Sequence, residues 1–294
     1  MVRLARRANA LGSQADFDKL AVRAYYAHSA LTWLEEYHVD GFRMDATDYM
    51  NIDPQAASGW SLMQRLNNDL DTRWADKVTI AEQLPNDSYV TRPTSVGGAG
   101  FDSQYHDAFV DNLRQETFDA ATGDPEMWKI RDAINGGGAY LTGSNVTNYF
   151  ELHDEAWPSS GGQRAVKTID TTAPYDDIYA QGRTKLAQGL TLTAPGVPAF
   201  LMGAEWLEDT DFGSSSGNRI DWSKQTTYAP YYAWFKAMVG VRRTVAAFRS
   251  NATAAVYHLN ESGNVLAFRR TDAAGASYVV IVNLSNTNYA NYRL

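Results

Sequence analysis

Three acids stand where apolar runs end: Asp45 in VDGFRMDATD, Glu82 after KVTIA, and Asp154 in VTNYFELHDEAW. A short apolar run of this kind reads as a buried strand. Side chains on a strand alternate between two faces, so Arg43 and Asp45, two residues apart, point the same way. A cation beside an acid lowers its proton affinity and aims it, which suits a nucleophile. Glu82 has no cationic neighbour in the sequence. Burial near a second acid raises a carboxyl's proton affinity, which suits a general acid. Two carboxyl groups about 5 Å apart, one ionised and one protonated, are what cleavage of a glycosidic bond with retention requires. A third acid, Asp154, can hold the sugar hydroxyls as the ring flattens. One acid at a strand end is ordinary strand-end polarity; three on one edge form a pattern.

The elements around them alternate. DFDKLAVRAYYAHSALTWLEEYH has helical spacing and predicts a helix from about Phe17 to Tyr37. VDGFRMD follows as a strand, PQAASGWSLMQRLNNDLDTRW as a helix, and KVTIAEQL as a strand. VGGAGFDSQYHDAF predicts a glycine-rich turn, a weaker strand, and a helix to about Ala120; PEMWKIRDAI is a short helix before GGG. VTNYFELHDEAW, a long helix in YDDIYAQGRTKLAQGLTLTA, a strand in GVPAFLMGAEW and a helix in YYAWFKAMVGVRRTVAAFR complete the series. Such alternation predicts a parallel sheet flanked by helices, with active-site residues at the C-terminal strand ends. From about residue 251 the pattern becomes strand-like and tightly turned, in ATAAVYHLN, NVLAFRRTD and ASYVVIVNLS. This predicts domains over 1–250 and 251–294, the second all-β and antiparallel. GSSSGN and GGG read as loops.

Composition narrows the partners. The net charge of −8 opposes nucleic-acid binding, which needs a basic face. No stretch is apolar enough to cross a membrane, and the absence of cysteine excludes disulfides and thiolate metal sites. The 12% aromatic content fits either core filling or stacking on sugar rings. RLARR near the start reads as a solvated basic face.

The segments DGFRMD, TIAEQ and NYFELHDE resemble three signature regions of the α-amylase superfamily, glycoside hydrolase family 13, in the family's order. The resemblance runs from about Phe17 to the C-terminus. It implies part of a (β/α)8 barrel, about strands four to eight, followed by a truncated antiparallel β domain. It also implies retaining chemistry on α-glucans: starch, glycogen or maltooligosaccharides. Carried over residue by residue, Asp45 is the nucleophile, Glu82 the acid/base and Asp154 the transition-state stabiliser. Arg43 and His153 are substrate-binding, and Tyr105, Trp157 and Trp206 are aromatic candidates for stacking on glucose. HDE, VGGAGFDSQYHDAF and LTLTAPGVPAFLMGAEWLED are more like branching enzymes and trehalose-releasing hydrolases than like typical α-amylases. Branching is therefore the expected reaction, with α-amylase or trehalose-releasing hydrolysis as the alternative.

Gln83 departs from the glutamate usual in branching enzymes, and the family's first signature is missing before residue 39. A complete barrel takes roughly 250 residues. The expectation is a fragment, poorly active alone, with no organic cofactor. The stretch through which some relatives bind calcium is absent, so no metal is expected. Two rivals stand beside this reading. A magnesium-dependent barrel enzyme could use the same acids as ligands, but Arg43 would oppose the ion. A catalytically inert carbohydrate-binding protein could keep the fold, but has no reason to keep all three acids.

Overall fold

The computed structural model describes residues 5–9, 12–52, 56–136, 143–170, 177–249 and 251–294. The chain forms two compact units, Met1–Asp107 and Ala108–Leu294. Much of the predicted GGG loop and part of RLARR lie outside the described residues.

In the first unit, β1 (Ala5–Asn9) pairs antiparallel with β2 (Gly12–Ala15). The basic composition of this stretch gave no sign of that hairpin. Helix α1 (Leu20–Glu35) falls inside the predicted helix. Strand β3 (Gly41–Met44) leads through the single turn α2 (Thr47–Met50) to α3 (Ala56–Arg73), β4 (Val78–Ala81) and β5 (Ser103–Tyr105). β3 runs parallel to β4, and β4 to β5. Val22 and Ala27 of α1, Leu62, Met63 and Leu66 of α3, Ala81 and Phe101 form the core.

Two features seat the strands. Gly41 has φ +155° and opposes Val78; a Cβ there would lie 1.9 Å from the Val78 carbonyl oxygen. The glycine of DGFRMD is thus required by the approach of β3 to β4. On α3, the side chains of Trp60, Gln64 and Asn67 share a face and donate to three successive carbonyls. These are Gly97 O at 3.0 Å, Gly98 O at 2.8 Å and Ala99 O at 2.8 Å. This clasp fixes the glycine-rich turn that leads into β5.

The second unit contains α4 (Asp107–Asp119), α5 (Met127–Asn135), β6 (Val146–Asn148), the turn α6 (Ala165–Thr168), α7 (Ile178–Thr193) and β7 (Val197–Pro198). β6 and β7 are parallel. The Asp177 carboxylate caps α7, accepting from Tyr179 N–H at 2.9 Å and Ala180 N–H at 2.7 Å. Both strands are shorter than their apolar runs predict. After Asn148 the chain leaves the ladder, because Glu151 turns to bond Arg164 and the Ala165 N–H. After Pro198 it folds into a 3-10 turn over Ala204–Trp206. GSSSGN is a loop, as expected.

Helices α8 (Lys224–Thr227) and α9 (Ala229–Thr244) precede three strands: β8 (Thr253–Asn260), β9 (Val265–Thr271) and β10 (Ser277–Asn283). They form the predicted antiparallel sheet, with β9 central. Leu266, Phe268 and Val282 join Phe109, Leu113, Met127, Ile130 and Phe150 in one core. The architecture is parallel α/β with an antiparallel sheet at the end, as the alternation predicts, and it matches the partial barrel and β domain that the resemblance implies.

Candidate active site

In the first unit the site is built by strand register. Met44 pairs with Ala81 across parallel β3 and β4, so Asp45 and Glu82 are the next residues on neighbouring strands. Neighbouring strands lie about 4.8 Å apart, so equivalent residues just past the ladder emerge side by side. Glu82 N–H bonds Met44 O at 2.9 Å, and Thr47 N–H bonds Glu82 O at 2.9 Å, which locks the two strand ends together. The Thr47 hydroxyl lies 2.9 Å from Glu82 O and 3.0 Å from the Gln83 side-chain oxygen.

Arg43 joins the two acids. Its Nη1 bonds Asp45 Oδ1, and its Nη2 lies 2.5 Å from Glu82 Oε1. The second contact is a close charge pair, not an aligned hydrogen bond, and Arg43 Nε is buried without an acceptor among the described residues. Burial pulls the Arg43 pKa down, but the bond to Asp45 and the charge of Glu82 carry it above its usual value. The Tyr105 ring lies under the guanidinium, 5.2 Å from its carbon. Glu82 Oε2 accepts from the Ala46 N–H at 2.6 Å. Ala46 takes φ +42° to present that N–H, a left-handed conformation that costs a residue with a Cβ about 1–2 kcal/mol. The two carboxyls differ in setting: the Asp45 side chain is 73% exposed and that of Glu82 only 12%.

Sequence reasoning paired Arg43 with Asp45 alone and left Glu82 without a cation. Arg43 serves both, because parallel register brings Glu82 beside it. The sequence carries no signal for register. It also gave no sign of Ala46 and Thr47, whose contribution comes through the backbone N–H and a hydroxyl.

In the second unit, His153 and Asp154 lie on the turn after the short β6. The Asp154 side chain is 49% exposed, and His153 Nε2 lies 3.6 Å from its Oδ2. The His153 ring meets Phe212 edge-on with centroids 5.7 Å apart, and Trp157 meets the same ring at 6.5 Å. Trp157 is half-buried. On either side of the pair the acids have structural work. Buried Glu151 bonds Arg164 at 3.1 Å, and Glu155 accepts from Leu152 N–H at 2.9 Å. Burial pushes the Glu155 carboxyl above its ordinary pKa, against its backbone hydrogen bonds and the nearby Arg114.

The structure therefore groups Arg43, Asp45, Glu82 and Tyr105 in one unit, and His153, Asp154 and Trp157 in the other. Trp206 is placed differently from a stacking residue. It is 2% exposed, packed against Trp222 at 5.1 Å and Tyr232 at 6.0 Å. The indole that offers a face there is Trp222, 60% exposed. Its place after an acid-bearing strand end, which raised Trp206 as a candidate, could not show that its ring turns inward.

No protein-family model matches the chain. The 1,4-alpha-glucan branching enzyme GlgB of Rhodococcus jostii is 26% identical over 311 residues, covering 95% of this chain and 40% of its own length. The malto-oligosyltrehalose trehalohydrolase of Saccharolobus solfataricus is 27% identical over 214 residues, covering 65% of this chain and 35% of its own. The chain thus spans about two-fifths of the length of the curated relatives it matches. Among solved structures, the pullulanase of Anoxybacillus sp. LM18-11 complexed with maltotetraose superposes with a TM-score of 0.74. It is 19% identical, over 96% of this chain and 43% of its own, a likeness of fold. With acids at the ends of parallel strands and relatives of this kind, the chain is similar to glucan-active enzymes of the α-amylase superfamily, glycoside hydrolase family 13.

Proposed function

We propose that the chain carries the catalytic acids of a retaining α-glucan-active enzyme, and that its reaction is 1,4-α-glucan branching. The observation that carries the reading is the register of β3 and β4, with Asp45 and Glu82 at equivalent positions and one guanidinium against both. Asp45 attacks the anomeric carbon. The glycosidic bond breaks as Glu82 gives its proton to the leaving oxygen, and a glycosyl-enzyme ester remains on Asp45. A sugar 6-hydroxyl then attacks the same carbon, loses its proton to Glu82 and frees Asp45, forming an α-1,6 branch. Arg43, bonded to Asp45, orients its carboxylate for the attack and receives it again when the ester is released. Asp154, with His153 beside it, holds sugar hydroxyls as the ring flattens.

The branching-enzyme relatives support transfer. Hydrolysis is the second reading, with water as the acceptor. It is favoured by the pullulanase likeness and by Gln83, which stands where the resemblance leads one to expect glutamate.

A fluorinated α-glucosyl fluoride that slows the second step tests the chemistry. The adduct is expected on the peptide holding Asp45 and absent from Asp45→Asn. An adduct on another residue, or an inverted product, would overturn the assignment. Amylose products then divide the readings: new α-1,6 linkages mean transfer, and shorter linear chains mean hydrolysis.

A further inference from the structure

The second unit holds a positive cluster that the proposed glucan chemistry does not use. Arg242 is buried, and its Nη1 donates to Leu192 O at 3.0 Å and Ala194 O at 2.9 Å; its Nη2 donates to Gly196 O. Arg270 is fully buried behind it. Its Nη1 donates to Thr193 O at 2.5 Å, and its Nη2 to Arg249 O at 2.7 Å and Ala252 O at 3.2 Å. Arg270 Nε is buried with no acceptor among the described residues.

Among the described residues both guanidiniums bond carbonyls alone. The contrast is Arg164, as deeply buried but paired with Glu151 at 3.1 Å. Burial pulls Arg242 down to about 10, and burial with the charge of Arg242 pulls Arg270 down to about 10; no carboxylate raises either. Arg249 is exposed at the same place, and no acid pairs with it among the described residues. The carbonyls at the end of α7 supply about half a negative charge against three positive ones. Buried charge without a counter-charge is costly, so the cluster favours an anion beside it.

A cleft of about 430 Å³ opens at this point, lined by Ser144, Val197, Pro198, Arg242, Arg249 and Asn251. Among the described residues its walls offer two guanidiniums, an amide and a hydroxyl, and no acid. Carbonyls occupy three of the five N–H donors of Arg242, which leaves two. Guanidinium forks match phosphate oxygens bidentately, and a phosphate monoester brings more charge than a carboxylate. The cleft is shallow and open to solvent, with room beside the guanidiniums for more than a bare phosphate.

We propose that this cleft binds the phosphate group of a small phosphorylated metabolite, with Arg242 and Arg249 as its clamp. Arg249 closes on the phosphate from the rim while Arg242 meets it from the floor.

Calorimetric titration of the 294-residue chain at constant ionic strength tests this, using inorganic phosphate, glucose 6-phosphate and glucose. Glucose 6-phosphate is expected to bind at least tenfold tighter than inorganic phosphate, and glucose not to bind through this cleft. Arg249→Gln is expected to weaken both phosphates at least tenfold; the side chain is exposed, so folding is kept. Asp45→Asn is expected to leave both affinities unchanged, which separates the cleft from the glucan site. Equal affinity for the two phosphates would assign the cleft to the free ion. Undiminished binding by Arg249→Gln, or no saturable heat with either phosphate, would overturn the proposal.

Discussion

The two acid-bearing regions are built on opposite plans. At the ends of β3 and β4 each acid meets donors from the protein: Arg43 for both, and the Ala46 N–H for Glu82. The turn after β6 reverses this. There Glu151 and Glu155 are tied inward by an arginine and by backbone N–H groups, while Asp154 is left half-exposed with His153 at 3.6 Å. The first region is organised before any ligand arrives. The second is a firm frame holding one acid outward, open to solvent. The lesson is that a functional carboxylate can be fixed by its own partners or by those of its neighbours.

The largest effect should come from Asp45→Asn, which removes the proposed nucleophile from an exposed position. Turnover of amylose or a maltooligosaccharide should fall roughly 10⁴-fold or more, with the unfolding midpoint unchanged. A mild loss would mean that the partnered acids are structural, and the comparison would fail.

Arg43→Lys should come next. A lysine carries the charge but cannot present two separated N–H groups to Asp45 and Glu82 together. We expect kcat to fall about 10²-fold with little change in KM, measured on the same substrate. An equal loss at Asp154→Asn, with no change in thermal stability, would sharpen the contrast between the two plans.

Gly41→Ala tests the frame of the first region. The added Cβ meets the Val78 carbonyl and takes on a positive φ. Denaturant unfolding should show a loss of about 2–3 kcal/mol. A neutral result would mean that β3 and β4 can separate without disturbing the acids.

The smallest effect concerns the frame of the second region. The folded-state pKa of Glu155 is raised, chiefly by burial. Its contribution is therefore full below the unfolded value of 4.5 and is lost as pH rises through the folded value. Glu155→Gln keeps an acceptor for Leu152 N–H and cannot ionise. Melting curves from pH 4 to 7 should show the variant gaining on the parent as pH rises. A constant gap would mean that Glu155 is not held by burial.

Much of this was readable in the amino-acid order. Helical spacing located α1, α3, α7 and α9, and period-two reasoning placed Arg43 and Asp45 on one side. The switch to short alternating runs marked β8, β9 and β10. What could not be read depends on position in space. The offset between β3 and β4 decides that Arg43 reaches Glu82, and nothing in either strand encodes the offset locally. Trp206 and Trp222 look alike in sequence; only packing decides which ring is covered. The shortened β6 has the same origin, since Glu151 follows Arg164, a partner distant along the chain.

The clasp of α3 on the turn before β5 has a further consequence. Trp60, Gln64 and Asn67 grip main-chain oxygens, so the anchor is indifferent to which side chains the turn displays. Residues of the turn can therefore be exchanged while the path of the chain into β5, and with it the seat of Tyr105 at the far end of that strand, is kept.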